Sequence, residues 1–365
     1  MSNAFRDLLR KVGSGVHTGE DLTRAEAAAA TRMILLQEAT PAQIGAFLIA
    51  HRIKRPTGEE LAGMLDAYDE LGPKLQPIDS PKPAIVLGLP YDGRERTAPV
   101  SPLTALLLTA AGQPVVMHGS DRMPTKYGVP LVEIWQGLGV DWTGLSLAQT
   151  QQVFEATGLG FIYLPQHFPQ AQVIFDYRDQ IGKRPPFATM ELIWCPYTGD
   201  AHIISGFVHP PTEIMFQVAL ALRGISTFTT VKGLEGSCDL PRERTVIIGM
   251  SSPNTPHETT IVPLERLHLV PREFGFGSKN VPLGSTSQLV EDMHSVLQGK
   301  PSELMQTALW NSGFYLWRSG VCPDIKSGIA KAEDLFTSGQ VAQTLHKISQ
   351  IVGSISRSLV QQVHA

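Results

Sequence analysis

Cysteine is scarce in this chain, and what there is does not pair. Cys195, Cys238 and Cys322 are odd in number, far apart and without a Cys-x-x-Cys repeat. That excludes a disulfide framework and a zinc ribbon, and it fits a reducing compartment. Long apolar runs are missing as well. The longest stretches, such as 103–111, fall well short of the roughly 18 residues that a membrane span requires. The N-terminal MSNAFRDLLRKVGSG carries charges where a signal peptide needs an apolar core, so export is not expected. Nor is there a surplus of one charge. A formal net charge of -4 gives no broad surface for a polyanion, although a local basic patch could sit within it. No repeat of fixed period and no low-complexity tail is visible. The expectation is a soluble, cytoplasmic protein with no membrane partner.

What remains is an ordinary globular composition, 42% hydrophobic and 18% charged over 365 residues. That length suits one large domain plus a smaller one. The first part, 1–72, reads as helices only. Thr23-Arg-Ala-Glu26, Thr40-Pro-Ala-Gln43 and Thr57-Gly-Glu-Glu60 are three capping boxes, each opening an apolar-periodic segment. Pro41 stands at a first helical position, where its missing N–H costs nothing. A Pro-rich linker follows at 72–83, and the rhythm then changes. Short apolar strands are expected at 84–87, 115–117, 160–164, 227–231 and 244–250. Between them lie helices at Ser101-Pro102 to Gly112, at 129–138, from Ser146, and from Thr212 to near Gly224. The stretch 165–211 reads as irregular, 251–284 as loop-rich, and the chain from Ser285 onward as helical. The fold class expected is therefore α/β: a small N-terminal all-α domain (1–72, joined by part of 165–211) and a large α/β domain (73–365), its mainly parallel sheet flanked by helices.

In open parallel sheets ligands bind beyond the carboxyl ends of the strands. Four such ends carry polar, Gly-punctuated loops. One is Gly88-Leu-Pro-Tyr-Asp92-Gly93-Arg94, and a second is His118-Gly119-Ser120-Asp121-Arg122 with Thr125, Lys126 and Gly128 behind it. A third runs from Pro165-Gln-His167-Phe-Pro169 to Arg178 and Gly182-Lys183-Arg184. The fourth is Lys232-Gly233-Leu-Glu235-Gly236-Ser237-Cys238-Asp239. Bare backbone, fixed cations and a few carboxylates around one cleft suit a phosphate- or pyrophosphate-bearing ligand, with carboxylates available for Mg²⁺. Cys238 reads as a buried residue and not a nucleophile, since no histidine lies near it in sequence. Trp310, Phe314 and Trp317, at helical spacing, read as core or dimer surface.

The order and spacing of these loops resemble the anthranilate phosphoribosyltransferases, members of the type III phosphoribosyltransferase group that share a fold with pyrimidine nucleoside phosphorylases. That family's Lys-His-Gly-Asn-Arg…Ser-Ser-Lys-x-Gly run is similar to Met117-His118-Gly119-Ser120-Asp121…Pro124-Thr125-Lys126-Tyr127-Gly128. Its anthranilate-side segment resembles Leu164-Pro165-Gln-His167-Phe-Pro169 through Arg178 to Gly182-Lys183-Arg184, and its C-terminal helices resemble the chain from Asn311 onward. The resemblance implies phosphoribosyl transfer from phosphoribosyl pyrophosphate to anthranilate or another nitrogenous aromatic acceptor, a step of tryptophan biosynthesis, in a homodimer that uses Mg²⁺. It implies a donor site at Gly88, Asp92, Ser101, Thr125 and Lys126, an acceptor site at His118, Gly119 and Arg178, and a metal site at Asp239 and Glu235.

The departures from the family fall in the same loops. Its Gly-Thr-Gly-Gly-Asp turn has become Gly88-Leu89-Pro90-Tyr91-Asp92, losing one N–H donor and gaining a ring. Its Asn-x-Ser-Thr has become Pro99-Val100-Ser101-Pro102, its Lys before His-Gly is Met117, and its paired Asp-Glu is Cys238-Asp239, a soft thiol in place of one hard oxygen ligand. Two further readings follow from these losses. One is a non-catalytic paralogue whose cleft binds nucleic acid, against which the slightly acidic charge counts. The other is an enzyme like a nucleoside phosphorylase.

Overall fold

The computed structural model describes residues 3–15, 17–251 and 261–363. Four helices come first: α1 (Asn3–Gly13), α2 (Arg24–Leu35), α3 (Pro41–Lys54) and α4 (Gly58–Leu71). The three threonine capping boxes are formed. At Thr23, Thr40 and Thr57 the hydroxyl accepts the backbone N–H three residues on, and Glu26, Gln43 and Glu60 return a bond to the cap. Glu60 also braces the bundle. Fully buried, it accepts the Leu22 N–H and the Lys54 ammonium, each at 2.9 Å. Burial alone would raise its pKa. Bonds from His51, Leu22 and Lys54 outweigh that and hold the carboxyl down to about 2.

The chain then alternates strand and helix through β1 (Ala84–Gly88), α5 (Ser101–Ala110), β2 (Val115–Gly119), α6 (Leu131–Gly137), α7 (Leu147–Thr157) and β3 (Leu159–Tyr163). It continues through α8 (Leu164–His167), α9 (Pro169–Ile181), α10 (Phe187–Met190), β4 (Ala201–Gly206), α11 (Pro210–Leu222) and β5 (Phe228–Val231). Two more strands follow, β6 (Val246–Ser251) and β7 (Leu264–Leu269). Helices α12 (Thr286–Leu297), α13 (Glu303–Arg318), α14 (Ile325–Thr337) and α15 (Gln340–Val363) close the chain. The seven strands form one sheet in the order β3-β2-β1-β4-β5-β6-β7. Pairings from β3 to β5 are parallel, while β6 and β7 are antiparallel additions at one side.

The pleat divides each strand between two cores. Ile85, Leu87, Val115 and Met117 face a layer built with α5 and α13. Ala84, Val86 and Val116 face the other way, into a core continuous with that of α1 to α4. Helices α9, α10 and α11 pack on the N-terminal bundle, so this bundle sits against one face of the sheet. Among the described residues no helix is long and apolar enough to cross a membrane.

The structure corrects several sequence expectations. The stretch 165–211 is not irregular: it holds α8, α9, α10 and β4. The loop-rich stretch 251–284 holds β7. Strand β3 ends at Tyr163, with Leu164 already helical. Neither Ser101 nor Thr212 is an N-cap. Val100 and His209 hold those positions without a side-chain bond, and a proline in the first turn starts each helix instead.

Candidate functional site

The loop that leaves β1 is the point on which the other strand-end loops converge. It begins at Gly88, whose place is set by packing. A Cβ there would stand 1.8 Å from the Leu192 carbonyl oxygen, so only glycine lets the 191–193 segment lie across the strand. Gly88→Ala is therefore expected to destabilise the unliganded protein by about 1–3 kcal/mol. The check is the urea midpoint without ligand, which would stay unchanged if Gly88 served a ligand alone.

Asp92, four residues on, is buried and doubly paired. The Arg178 guanidinium of α9 donates to one carboxylate oxygen, and Arg184 Nη2 lies 2.6 Å from the other. The residue assigned to the donor and the residue assigned to the acceptor thus meet directly. Beside them Glu191 is fully enclosed. Burial pushes its carboxyl up to about 8, the Asp92 charge adds to this and Arg178 opposes it. The Tyr68 hydroxyl donates to Glu191 Oε1 at 3.3 Å.

Arg94 joins the same loop to the one after β5. Its guanidinium is only 4% exposed. Nη1 donates to Asp239 Oδ2 and to Ser237 Oγ, both at 2.8 Å, Nε donates to Glu235 Oε1 at 3.3 Å, and Nη2 donates to Thr97. Glu235 also accepts the backbone N–H groups of Glu95, Arg96 and Thr97 at 3.0–3.2 Å and the Thr97 hydroxyl at 2.8 Å. Burial would raise the Glu235 pKa, but these bonds and the Arg94 charge hold it at about 2. Ser101, helical and not a cap, donates its hydroxyl to Asp239 Oδ1 at 2.8 Å, and the Val100 N–H reaches Oδ2 at 3.2 Å.

The loop after β2 is zipped to the β1 loop by paired backbone bonds between Arg94 and Val129. Lys126, partly exposed, lies 3.9 Å from Glu95. Thr125 is exposed beside it. His118 is fully enclosed: its Nδ1 shares a 2.6 Å hydrogen bond with the Tyr91 hydroxyl, and its ring meets Trp194 edge-on. Burial lowers its pKa to about 3, so the imidazole is neutral at pH 7. Gly119 is packed against the Phe161 ring. Trp194 extends this wall of rings to Tyr68 and Phe168.

The residues assigned to Mg²⁺ do not fit a hydrated divalent ion. Each oxygen of Asp239 and Glu235 already accepts a donor, and Cys238 between these loops is buried, which pushes its thiol up. Among the described residues no group of three or more His, Cys, Asp and Glu side chains could hold a metal ion. Sequence reasoning named Arg94 as a cation of the loop without giving it a partner, and it missed Glu191 and Trp194. The only signal was Arg94's place two residues after Asp92.

A cavity of about 480 Å³ opens elsewhere, near the start of β4, between Asp69 and Lys74 on one side and Tyr197 and Arg223 on the other. Of its charges, Arg223 is paired with Asp66 and Asp69, and Lys74 lies 3.7 Å from Asp69. The buried ion pairs of Asp92, Arg94 and Asp239 lie instead at the carboxyl ends of the strands.

Residues 6–72 match the glycosyl transferase family's helical bundle domain, and residues 92–342 match its a/b domain. An anthranilate phosphoribosyltransferase of Bradyrhizobium sp. (strain ORS 278) is 27% identical over 357 residues, covering 95% of this chain and all of that one. The fold is shared with the anthranilate phosphoribosyltransferase of Thermus thermophilus (TM-score 0.76, 19% identity, 96% of this chain and 99% of that one). It is shared also with the Saccharomyces cerevisiae enzyme in complex with PRPP and Mg (TM-score 0.79, 18% identity, 96% and 98%).

Proposed function

Because the chain belongs to the glycosyl transferase family, as a divergent member with both its helical bundle and its a/b domain, we propose that it transfers a phosphoribosyl group from phosphoribosyl pyrophosphate to a nitrogenous aromatic acceptor. One observation carries this reading. The loops after β1, β2 and β5, together with α9, converge on the 88–101 segment at the carboxyl end of a parallel sheet, where α/β proteins take phosphorylated ligands. In the reaction the bond from ribose carbon 1 to the pyrophosphate oxygen breaks, and its electron pair leaves with pyrophosphate. A bond from the acceptor nitrogen to carbon 1 replaces it, and the nitrogen's proton passes to water. The protein's part is to position the two substrates and to meet the charge of the leaving group. Arg96 and Lys126, at the rim of the loops, are the cations this reading assigns to that charge.

On the acceptor side the Arg178 charge is already met by Asp92. An aromatic amine or base without the anthranilate carboxylate therefore suits the site better than anthranilate itself. The test is turnover of phosphoribosyl pyrophosphate against anthranilate and a panel of aromatic amines and bases, with calorimetry of the donor alone. The expected result is donor binding, with turnover of an acceptor that lacks the carboxylate. Absence of both binding and turnover of the phosphosugar would reject the reading.

A further inference from the structure

At the Asp239–Glu235 pair two buried carboxylates approach the same point, and a side chain of the protein already stands between them. Arg94 reaches both, at 2.8 Å and 3.3 Å. Its planar fork can bridge two carboxylates and two hydroxyls at once, which an ammonium cannot. The remaining oxygens are met as well. Asp239 Oδ1 has the Ser101 hydroxyl, and Glu235 sits in a concavity of three successive backbone N–H groups, from Glu95 to Thr97.

A divalent ion gains little at such a point. Mg²⁺ demands near-octahedral oxygen ligands at about 2.0–2.1 Å and gives up its water reluctantly. To come that close it would have to expel a guanidinium that is almost wholly enclosed, and Cys238, where a second carboxylate would stand beside Asp239, offers a buried thiol, a poor partner for a hard cation. Charge offers no pull either. The Arg94 guanidinium already stands against both carboxylates, and Arg96 lies farther out, 3.8 Å from Glu235. Arg96 itself is 77% exposed, and Lys126 is held only loosely by Glu95 at 3.9 Å.

We infer that the Arg94 guanidinium has taken the place of the divalent cation at this carboxylate pair, so that the chain binds the diphosphate end of its donor without Mg²⁺. The inference rests on the donor proposed above. In its place Arg94 fixes the β1 loop against the β5 loop, and Arg96 and Lys126 supply at the rim the positive charge that a metal would otherwise carry to the donor.

The test begins with Mn²⁺ alone, followed by electron paramagnetic resonance. Wild-type protein is expected to bind no more Mn²⁺ at one equivalent than Asp239→Asn does. Arg94→Ser vacates the point between the carboxylates and is expected to gain a Mn²⁺ site that Arg94→Ser/Asp239→Asn loses. By calorimetry, the affinity of wild type for phosphoribosyl pyrophosphate is expected to agree within about twofold in EDTA and in Mg²⁺. A wild-type Mn²⁺ site abolished by Asp239→Asn would overturn the inference. So would a loss of donor affinity of more than about tenfold in EDTA, or a folded Arg94→Ser protein that gains no site. If Arg94→Ser does not fold, the wild-type titration decides alone. If the donor binds under neither condition, the proposed function fails, while the Mn²⁺ titration still decides whether Arg94 stands in for the metal.

Discussion

Asp92→Ala is expected to lower folding stability by about 3–5 kcal/mol, the scale for breaking one partner out of a buried ion pair. The size follows from what stays behind. Arg178 is 1% exposed, and without Asp92 its charge keeps no carboxylate partner except the neighbouring Glu191, which is neutral in the wild-type protein at pH 7. Arg184, at 39% exposure, can turn to water and adds less. The loss is also mechanical. Asp92 belongs to the β1 loop and Arg178 to α9, which packs on α2 and α3, so the pair ties the carboxyl end of the sheet to the helical bundle. Urea denaturation measures the effect, and a double-mutant cycle assigns it. Arg178→Met in the Asp92→Ala background should recover much of the loss, because it removes the stranded charge. A single-mutant cost below about 1 kcal/mol would place the pair among solvated surface bridges instead.

The sequence made the frame of this molecule legible and left its pairings hidden, for physical reasons. Threonine capping boxes are local chemistry, so the starts of α2, α3 and α4 could be read from four residues each. Helix α9 was lost because prolines crowd the segment around it; Pro169 starts the helix and does not break it. Strand β7 carries Glu265, Arg266 and His268 among its six residues and lies at the sheet edge, where little burial marks it. The strand-end loops were visible as glycine and charge, and the topology does bring them together. What no local pattern contains is which charge meets which. Asp92 and Arg178 are 86 residues apart, and Arg94 and Asp239 are 145 apart. Each residue read alone looked available to a ligand. Only the fold shows that Arg94, Asp92, Arg178, Glu235 and Asp239 answer one another.

Glu191→Gln is expected to change how stability depends on pH more than any surface charge does. The folded protein holds the Glu191 proton up to about pH 8, against 4.5 as the ordinary value for such a carboxyl. Between those two values the unfolded chain releases a proton that the folded chain keeps. Wild-type stability should therefore fall as pH rises through this window, by about 1.4 kcal/mol per pH unit for one proton, and should level off above about pH 8. Glutamine cannot titrate and still offers the Tyr68 hydroxyl an acceptor. The variant should match wild type near the lower end of the window and exceed it by a widening margin toward the upper end. Urea midpoints at four pH values between about 5 and 8 measure this, and parallel curves for the two proteins would reject it. The effect is tied to Asp92, whose charge helps to keep Glu191 protonated. In the Asp92→Ala protein that repulsion is gone, and the unpaired Arg178 draws on the neighbouring Glu191 carboxyl. Glu191 should then ionise at lower pH, the window should narrow, and part of the Asp92→Ala loss should be recovered as pH rises. One buried guanidinium is thus shared between two carboxyl groups, and only the one on the β1 loop is charged in the resting protein.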